Sequence, residues 1–390
     1  ALARIQTEGA LEDARRLAAG TTVDRLAATR LLAEHQGAEV QQFLLERALD
    51  LEPAVAAIAL RRLQQLDPRS ITPIVDRLVR SPDAQVRMLT AQMLVHHGTV
   101  AAVQRLSDLM ADVNPDLRLF AREALIGLDA QPALSPAIRQ AATSVMDGDN
   151  LHARQHAIVL LGAVDHEPAA QRLVELLEED QPEIYVTAAW SLRKLAVPAT
   201  AQPIRKKIRR EIDATNAMGQ RNQGDKGPFA MPQLRLADQV THLLEALGEI
   251  KDRDATALFF EFLPRPPETS IFDPPTVEVV YFEDPRSAAL WALAACYAGE
   301  PSPEVLQAVT ERFRDSEEEE SIRAMAAITL GRLASPSSQA LLRREFHPED
   351  PYTPLGHASS WALQQLTGGE PHVWKRPQAV QLNWFLEPLP

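Results

Sequence analysis

Arg87 and Arg118 stand in nearly the same surroundings, 31 residues apart (118 − 87). The first lies in Pro82-Asp83-Ala84-Gln85-Val86-Arg87, followed by Ala91 and Leu94. The second lies in Pro115-Asp116-Leu117-Arg118, followed by Ala121 and Leu125. A self-match at this interval constrains the fold more than any other feature of the chain. A unit of about 31 residues is too short to bury a core alone, so it must stack on copies of itself.

Extending the match gives a marker series: Arg25, Ala56, Arg87, Arg118, Arg154 and Tyr185, at intervals of 31, 31, 31, 36 and 31. Three residues after each marker stand Ala28, Ala59, Thr90, Ala121, Ala157 and Ala188. Seven after stand Leu32, Leu63, Leu94, Leu125, Leu161 and Leu192. Spacings of three and seven share one helical face, so these residues predict a buried stripe whose small members let helices approach. Glu52-Pro53, Ser81-Pro82, Asn114-Pro115, Gln181-Pro182 and Asp284-Pro285 place proline near helix starts, where its missing N–H costs nothing. A preceding helix is expected at residues 40–51, 71–79, 100–110 and 168–177, completing a hairpin in each unit.

The period breaks after residue 203. Residues 204–212 read as a helix carrying Arg205, Lys206, Lys207, Arg209 and Arg210. Residues 216–228 lack apolar periodicity and read as a long loop. A second insertion runs from 264 to 285 and holds a strand-like stretch at 276–282. Markers return at Arg286, Arg323 and Gly356, followed at the seventh position by Leu293, Leu330 and Leu363. The expected organisation is therefore repeats over 1–203, an irregular middle over 204–285 with insertions at about 213–232 and 264–285, repeats over 286–370, and a cap over 371–390. Trp374, Trp384 and Phe385 suit that cap, since a stack needs an atypical end to cover its last face.

Asp83-x-x-Val86-Arg87-x-x-x-Ala91 and Glu320-Ser-Ile322-Arg323-x-x-Ala326-Ala327-x-x-Leu330-Gly331 resemble HEAT repeats. The period is similar to that of the bacterial HEAT-like class also found in phycobilisome lyases. The resemblance implies an all-α fold, a right-handed α-solenoid of about ten helical hairpins whose concave surface binds other macromolecules. It also implies a structural ladder between repeats, with Asp83 matched to Arg87 and Asp116 to Arg118, and with Arg154 and Arg323 at the same repeat position. Ala56 and Tyr185 would interrupt it. Within the same resemblance, chromophore lyases and iron hydroxylases built on His-Glu dipeptides are the enzymatic alternatives, although this chain has a single such dipeptide before a proline, His166-Glu167.

Composition narrows the function. The net charge of −13 argues against a nucleic-acid partner, because phosphate binding depends on Lys and Arg displacing counterions. The lone Cys296 lies in an apolar stretch and is expected to be an inert core thiol. Neither a Walker pattern nor Gly-x-Gly-x-x-Gly occurs. His152 and His156 share a helical face at metal-ligating spacing but lack the Glu of a zinc helix, so they read as an exposed face. No cofactor is called for, and an enzyme is not expected.

The expectation is a non-catalytic scaffold holding one or more proteins. The candidate contacts are the basic cluster Arg205, Lys206, Lys207, Arg209 and Arg210, and the insertion residues Ile271, Phe272, Tyr281 and Phe282. The basic cluster suits an acidic partner, an anionic lipid surface or, as an alternative, an anion-binding or nucleic-acid-binding role. The acidic run of Asp315 and Glu317 to Glu320 reads as a solvated surface. No run reaches the roughly 18 apolar residues of a membrane span. The chain starts Ala1-Leu2-Ala3 without Met, so a soluble protein is expected on either side of a membrane, after a removed leader or a trimmed start.

Overall fold

The starts of the helices are written into the turns. Asn114 accepts from the Asp116 and Leu117 amides, and Asp83 accepts from the Val86 amide at 3.0 Å, so each satisfies donors that the first helical turn leaves open. Pro53, Pro115 and Pro182 occupy the first helical position, while Pro82 sits one residue ahead of the capping Asp83. The computed structural model of the chain describes residues 7–221, 231–264, 285–346, 353–370 and 372. The strand-like stretch at 276–282, the insertion residues Ile271, Phe272, Tyr281 and Phe282, and the cap residues Trp374, Trp384 and Phe385 lie outside the described residues.

Every regular element among the described residues is helical. The first compact unit, residues 1–169, contains α1 (Thr7–Ala18), α2 (Thr22–Leu32), α3 (Ala38–Arg47), α4 (Pro53–Leu66), α5 (Val75–Leu78), α6 (Ala84–Val95), α7 (Val100–Leu109), α8 (Pro115–Asp129), α9 (Ser135–Met146) and α10 (Leu151–Ala163). The second, residues 170–390, contains α11 (Ala170–Leu176), α12 (Pro182–Leu195), α13 (Ala201–Arg221), α14 (Met231–Ile250), α15 (Thr256–Phe262), α16 (Pro285–Cys296), α17 (Pro303–Arg314), α18 (Glu320–Leu333), α19 (Gln339–Glu345) and α20 (Pro354–Thr367). Each odd-numbered helix pairs with the even-numbered helix that follows it. The even helices stack directly: α2 on α4, α6, α8 and α10 in the first unit, and α12 on α14, α16, α18 and α20 in the second. Each unit is thus a solenoid of helical hairpins, as the period predicts.

The stripe at marker plus three and plus seven is the core between even helices. Ala28, Ala59, Thr90, Ala121, Ala157 and Ala188 are all fully buried, as are Leu32, Leu63, Leu125, Leu161 and Leu192. Leu363 is only half-buried, because α20 is the last described layer. Several first helices are shorter than the pattern suggests. Residues 71–79 form a 3-10 turn (Pro68–Ile71) and the single turn of α5, and the helix expected at 168–177 starts as a 3-10 turn (Glu167–Ala169). The expected loop at 216–228 is corrected in part: α13 continues through residue 221 and α14 begins at Met231.

Arg25, Arg87, Arg286 and Arg323 form rungs between layers, with partners other than those the resemblance implied, whereas Arg118 Nη1 donates within its own turn, to the Asp112 and Val113 carbonyls. Asp83 caps α6, and Asp116 is exposed on the first turn of α8. The partner of Arg87 is Asp112, 25 residues on, gripped through Nε at 2.7 Å and Nη2 at 2.8 Å with both side chains 8% exposed. Arg87 Nη1 also donates to the carbonyls of Ser81 and Pro82, at 2.8 and 3.1 Å, in its own turn. Arg25 repeats the pattern with Asp50 at 3.0 Å, again 25 residues on. Asp50 and Asp112 each accept the amide two residues later, from Glu52 and Asn114, so one carboxylate closes a turn and holds the previous layer. In the second unit Arg286 reaches Glu318 at 2.7 Å, and Arg323 reaches the Phe313 carbonyl and Glu345. Glu318 is therefore buried between Arg286 and Arg312, and the acidic run is not simply a solvated surface.

Burial opposes the charge of Asp112 most strongly. The Arg87 hydrogen bonds, the Asn114 amide and the charges of Arg87 and Arg118 outweigh it and hold the carboxyl below its ordinary range. Asp112→Ala leaves the Arg87 guanidinium buried without its carboxylate and is expected to cost about 3 kcal/mol in urea denaturation. Asp116→Ala, on the exposed first turn, is expected to cost under about 0.5 kcal/mol.

Close approach of the even helices in the second unit depends on two glycines. A Cβ on Gly248 would lie 2.7 Å from Ala292 Cα, and one on Gly331 would lie 2.7 Å from Ala362 Cα. Both contacts are backbone, which cannot give way as a side-chain end can. Gly248→Ala and Gly331→Ala are expected to destabilise by about 1–3 kcal/mol through overpacking. Gly127→Ala, in α8 with nothing within 4 Å of the new methyl, is expected to stabilise by about 0.5–1 kcal/mol through helix propensity. Thermal or urea unfolding of the three variants checks both signs.

Candidate functional site

Two surfaces and one histidine pair hold the side chains with a chemistry of their own. The basic cluster lies on α13, and most of its charge is already met. Arg205 pairs with Asp252. Lys207, buried, bonds Glu178 at 3.2 Å and Glu211 at 2.8 Å. Arg209 grips Glu261 through both terminal nitrogens at 2.6 and 2.7 Å, and Arg210 pairs with Glu178. Lys206 is exposed and has no ion-pair partner among the described residues. Arg205, Lys206, Arg209 and Arg210 line an open groove of about 620 Å³ between α13 and α15, over Ala257 and Leu258 and beside Asp254.

His152 and His156 sit on α10 as the spacing predicts, His152 exposed and His156 half-buried. Burial first, then the charges of Arg122, Arg118 and His152, lower the His156 pKa to about 4; Glu123 acts weakly the other way. Its Nδ1 is buried without a hydrogen-bond partner. No group of three His, Cys, Asp or Glu side chains that could hold a metal occurs among the described residues. Cys296 is buried, and burial pushes its thiol up to about 12, which leaves no thiolate for nucleophilic chemistry at neutral pH.

The depressed His156 pKa has a consequence for stability. The unfolded chain takes up a proton near 6.5, whereas the folded chain resists it until about 4. The neutral imidazole's contribution is complete above 6.5 and is lost as pH falls from 6.5 towards 4. The urea midpoint of the protein is expected to fall between pH 7.5 and 5, and the fall is expected to be smaller in His156→Gln.

The second surface escapes a reading confined to the marker and the positions three and seven beyond it. At marker plus five stand Trp190 (185 + 5), Trp291 (286 + 5) and Trp361 (356 + 5), on α12, α16 and α20. Ile328 (323 + 5) takes the place on α18, and on α14 Glu245 stands two residues before the buried Leu247, as Trp291 stands two before Leu293. The chain has five tryptophans, and three of them fall in this one row. In the first unit the same positions hold Arg30, Arg61, Gln92, Glu123 and Val159, a mostly polar row. The row follows the glycine approach: the rings of Trp291 and Trp361 lie against Gly248 and Gly331, where a side chain would displace them. Arg193 bonds Glu245 at 2.7 Å and stands 5.9 Å from the centre of the Trp291 ring, and Lys194 stands 5.5 Å from that of Trp190. Trp190 and Trp291 are half-buried, and Trp361, with 37% of its surface exposed, is the most open. Reading the plus-five column of the alignment would have found it.

A family model described as HEAT repeats matches residues 41–126, from within α3 to within α8. Residues 41–126 are HEAT repeats. The solved structures similar to the chain include importin beta, at 13% identity and a TM-score of 0.56 over 94% of this chain and 54% of that one. Kap121p bound to Pho4p matches at 14% identity and a TM-score of 0.53, over 94% of this chain and 42% of that one. The chain spans about half the length of these HEAT-type solenoids, and the likeness is one of fold. The complex of CpcE and CpcF of phycocyanin lyase from Nostoc matches at 16% identity over 68% of this chain and 88% of that one, with a TM-score of 0.39, too low to carry an argument. A search of curated proteins by sequence finds no match. No described helix of the chain is long and apolar enough to cross a membrane.

Proposed function

We propose that the chain is a non-catalytic HEAT-repeat scaffold that holds a protein partner on the even-helix face of its second unit. The observation that supports this reading is the tryptophan row at one repeat position. Tryptophan and arginine are enriched among the side chains that anchor protein interfaces, and tryptophan buries a large area with only two rotatable side-chain bonds. Trp291 and Trp361 stand on helices in close backbone contact with a neighbour, which reduces the ordering a partner must impose. Layers about 8–10 Å apart place Trp190, Trp291 and Trp361 at steps of roughly 20 Å, a spacing that suits an extended partner better than a small molecule. The solenoid fold adds to this, since its surface is large for its mass. One structural neighbour, Kap121p, is bound to a protein, Pho4p.

Trp361→Ala is the first variant to make, since its ring is the most open and sits on the last described layer. A native pull-down with the intact chain, followed by mass spectrometry, is expected to give a stoichiometric protein that Trp361→Ala releases and Leu51→Ala, on the first unit, retains. Retention of that protein by Trp361→Ala and by Trp190→Ala, or turnover of a substrate by the purified chain, would overturn the reading.

A further inference from the structure

We infer that the α13–α15 groove is a second docking site, and that it takes an acidic segment of a protein partner with an apolar side chain at its centre. The inference rests on the partner-binding reading but uses a different surface from the tryptophan row. Four cationic side chains, Arg205, Lys206, Arg209 and Arg210, face one carboxylate, Asp254, in a chain of net charge −13. The floor is apolar, formed by Ala257 and Leu258 of α15.

The ion pairs around the groove do not close it. Arg209 with Glu261 and Arg210 with Glu178 are between 41% and 61% exposed, and pairs so wetted contribute on the order of 0–1 kcal/mol. An incoming carboxylate can therefore share Arg209 with Glu261 and Arg210 with Glu178 at little loss, while Glu178 keeps its bond to Lys207. Lys206 has no carboxylate to give up among the described residues, which makes it the cation a partner meets at least cost. Lys207 is different: it is buried against Glu178 and Glu211 and holds α13 in place.

The same features select against the other anionic surfaces. A lipid headgroup plane or a duplex needs an extended field of unpaired cations, which an ion-paired cluster on an acidic molecule does not supply. An acidic peptide needs only a short stretch, and its central Leu or Phe finds Ala257 and Leu258.

The test uses the full chain and a fluorescein-labelled peptide, Glu-Glu-Leu-Glu-Glu-Phe-Glu-Glu, read by fluorescence anisotropy. Binding is expected at about 50 mM salt and is expected to weaken as salt rises. Lys206→Glu is expected to weaken it about tenfold, and Leu258→Ala by several-fold. Trp361→Ala is expected to leave it unchanged, which separates the fate of this groove from that of the tryptophan row. Unfolding curves confirm that Lys206→Glu, an exposed site, keeps its fold. No peptide binding at 50 mM salt would overturn the inference, as would binding indifferent to Lys206→Glu. Equal or tighter Lys206-dependent binding to vesicles of phosphatidylserine and phosphatidylcholine would overturn it in favour of a membrane contact.

Discussion

The rung between a marker arginine and the turn carboxylate of the next repeat, made by Arg25 with Asp50, Arg87 with Asp112 and Arg286 with Glu318, is the polar interaction that ties layer to layer. In Arg87 with Asp112 it satisfies five groups at once: both carboxylate oxygens, the Ser81 and Pro82 carbonyls and the Asn114 amide. Each turn would otherwise present open backbone groups at a half-buried junction. Because the same carboxylate shapes its own turn and holds the previous layer, hairpin geometry and layer spacing are set together. That coupling lets a chain with short first helices, α5 being a single turn, still hold its register.

The second unit adds a different constraint. Gly248 and Gly331 bring even helices together until backbone touches backbone, and the ring of the neighbouring tryptophan then lies over the gap. The stability of the stack and the character of its surface thus come from the same residues. The polar row of the first unit lacks those rings, so the two units share a fold and differ in the face they offer. The basic stretch of α13 shows the opposite relation between sequence and surface. Five cations in six positions read as a field, and the fold spends most of that field on Glu178, Glu211, Asp252 and Glu261.

The repeat period was legible because stacking forces a small residue at plus three and a leucine at plus seven, and a column of like residues is visible in one sequence. The all-α solenoid followed from that column. The rung partners were not legible. Asp112 precedes the helix whose start Pro115 announces, and its contact to Arg87 runs across 25 residues, so local pattern favoured the nearer Asp83 and Asp116. The burial of Glu318 was hidden likewise, because its neighbours Arg286 and Arg312 arrive from other helices. The tryptophan row was in the sequence but in a column that is mostly polar in the first unit. The far end of α13 was misread as loop because a helix with little apolar face shows no period.

The interruption at Ala56 allows the most direct test. Ser81 stands 31 residues from both Asp50 and Asp112 (81 − 50 and 112 − 81), yet its layer lacks the arginine, and its hydroxyl only closes its own turn to the Asp83 amide. A cavity of about 180 Å³ lies there, lined by Ala56, Asp50, Leu51, Ser81 and Pro82 among others, where the missing guanidinium would sit. The measurement is a double-mutant cycle of Ala56→Arg and Ser81→Asp by urea denaturation. If the rung sets the stacking, the pair together is more stable than the two single changes predict by about 1–3 kcal/mol. Strict additivity would contradict the account, since an arginine and a carboxylate placed in the rung positions would then have failed to make a rung.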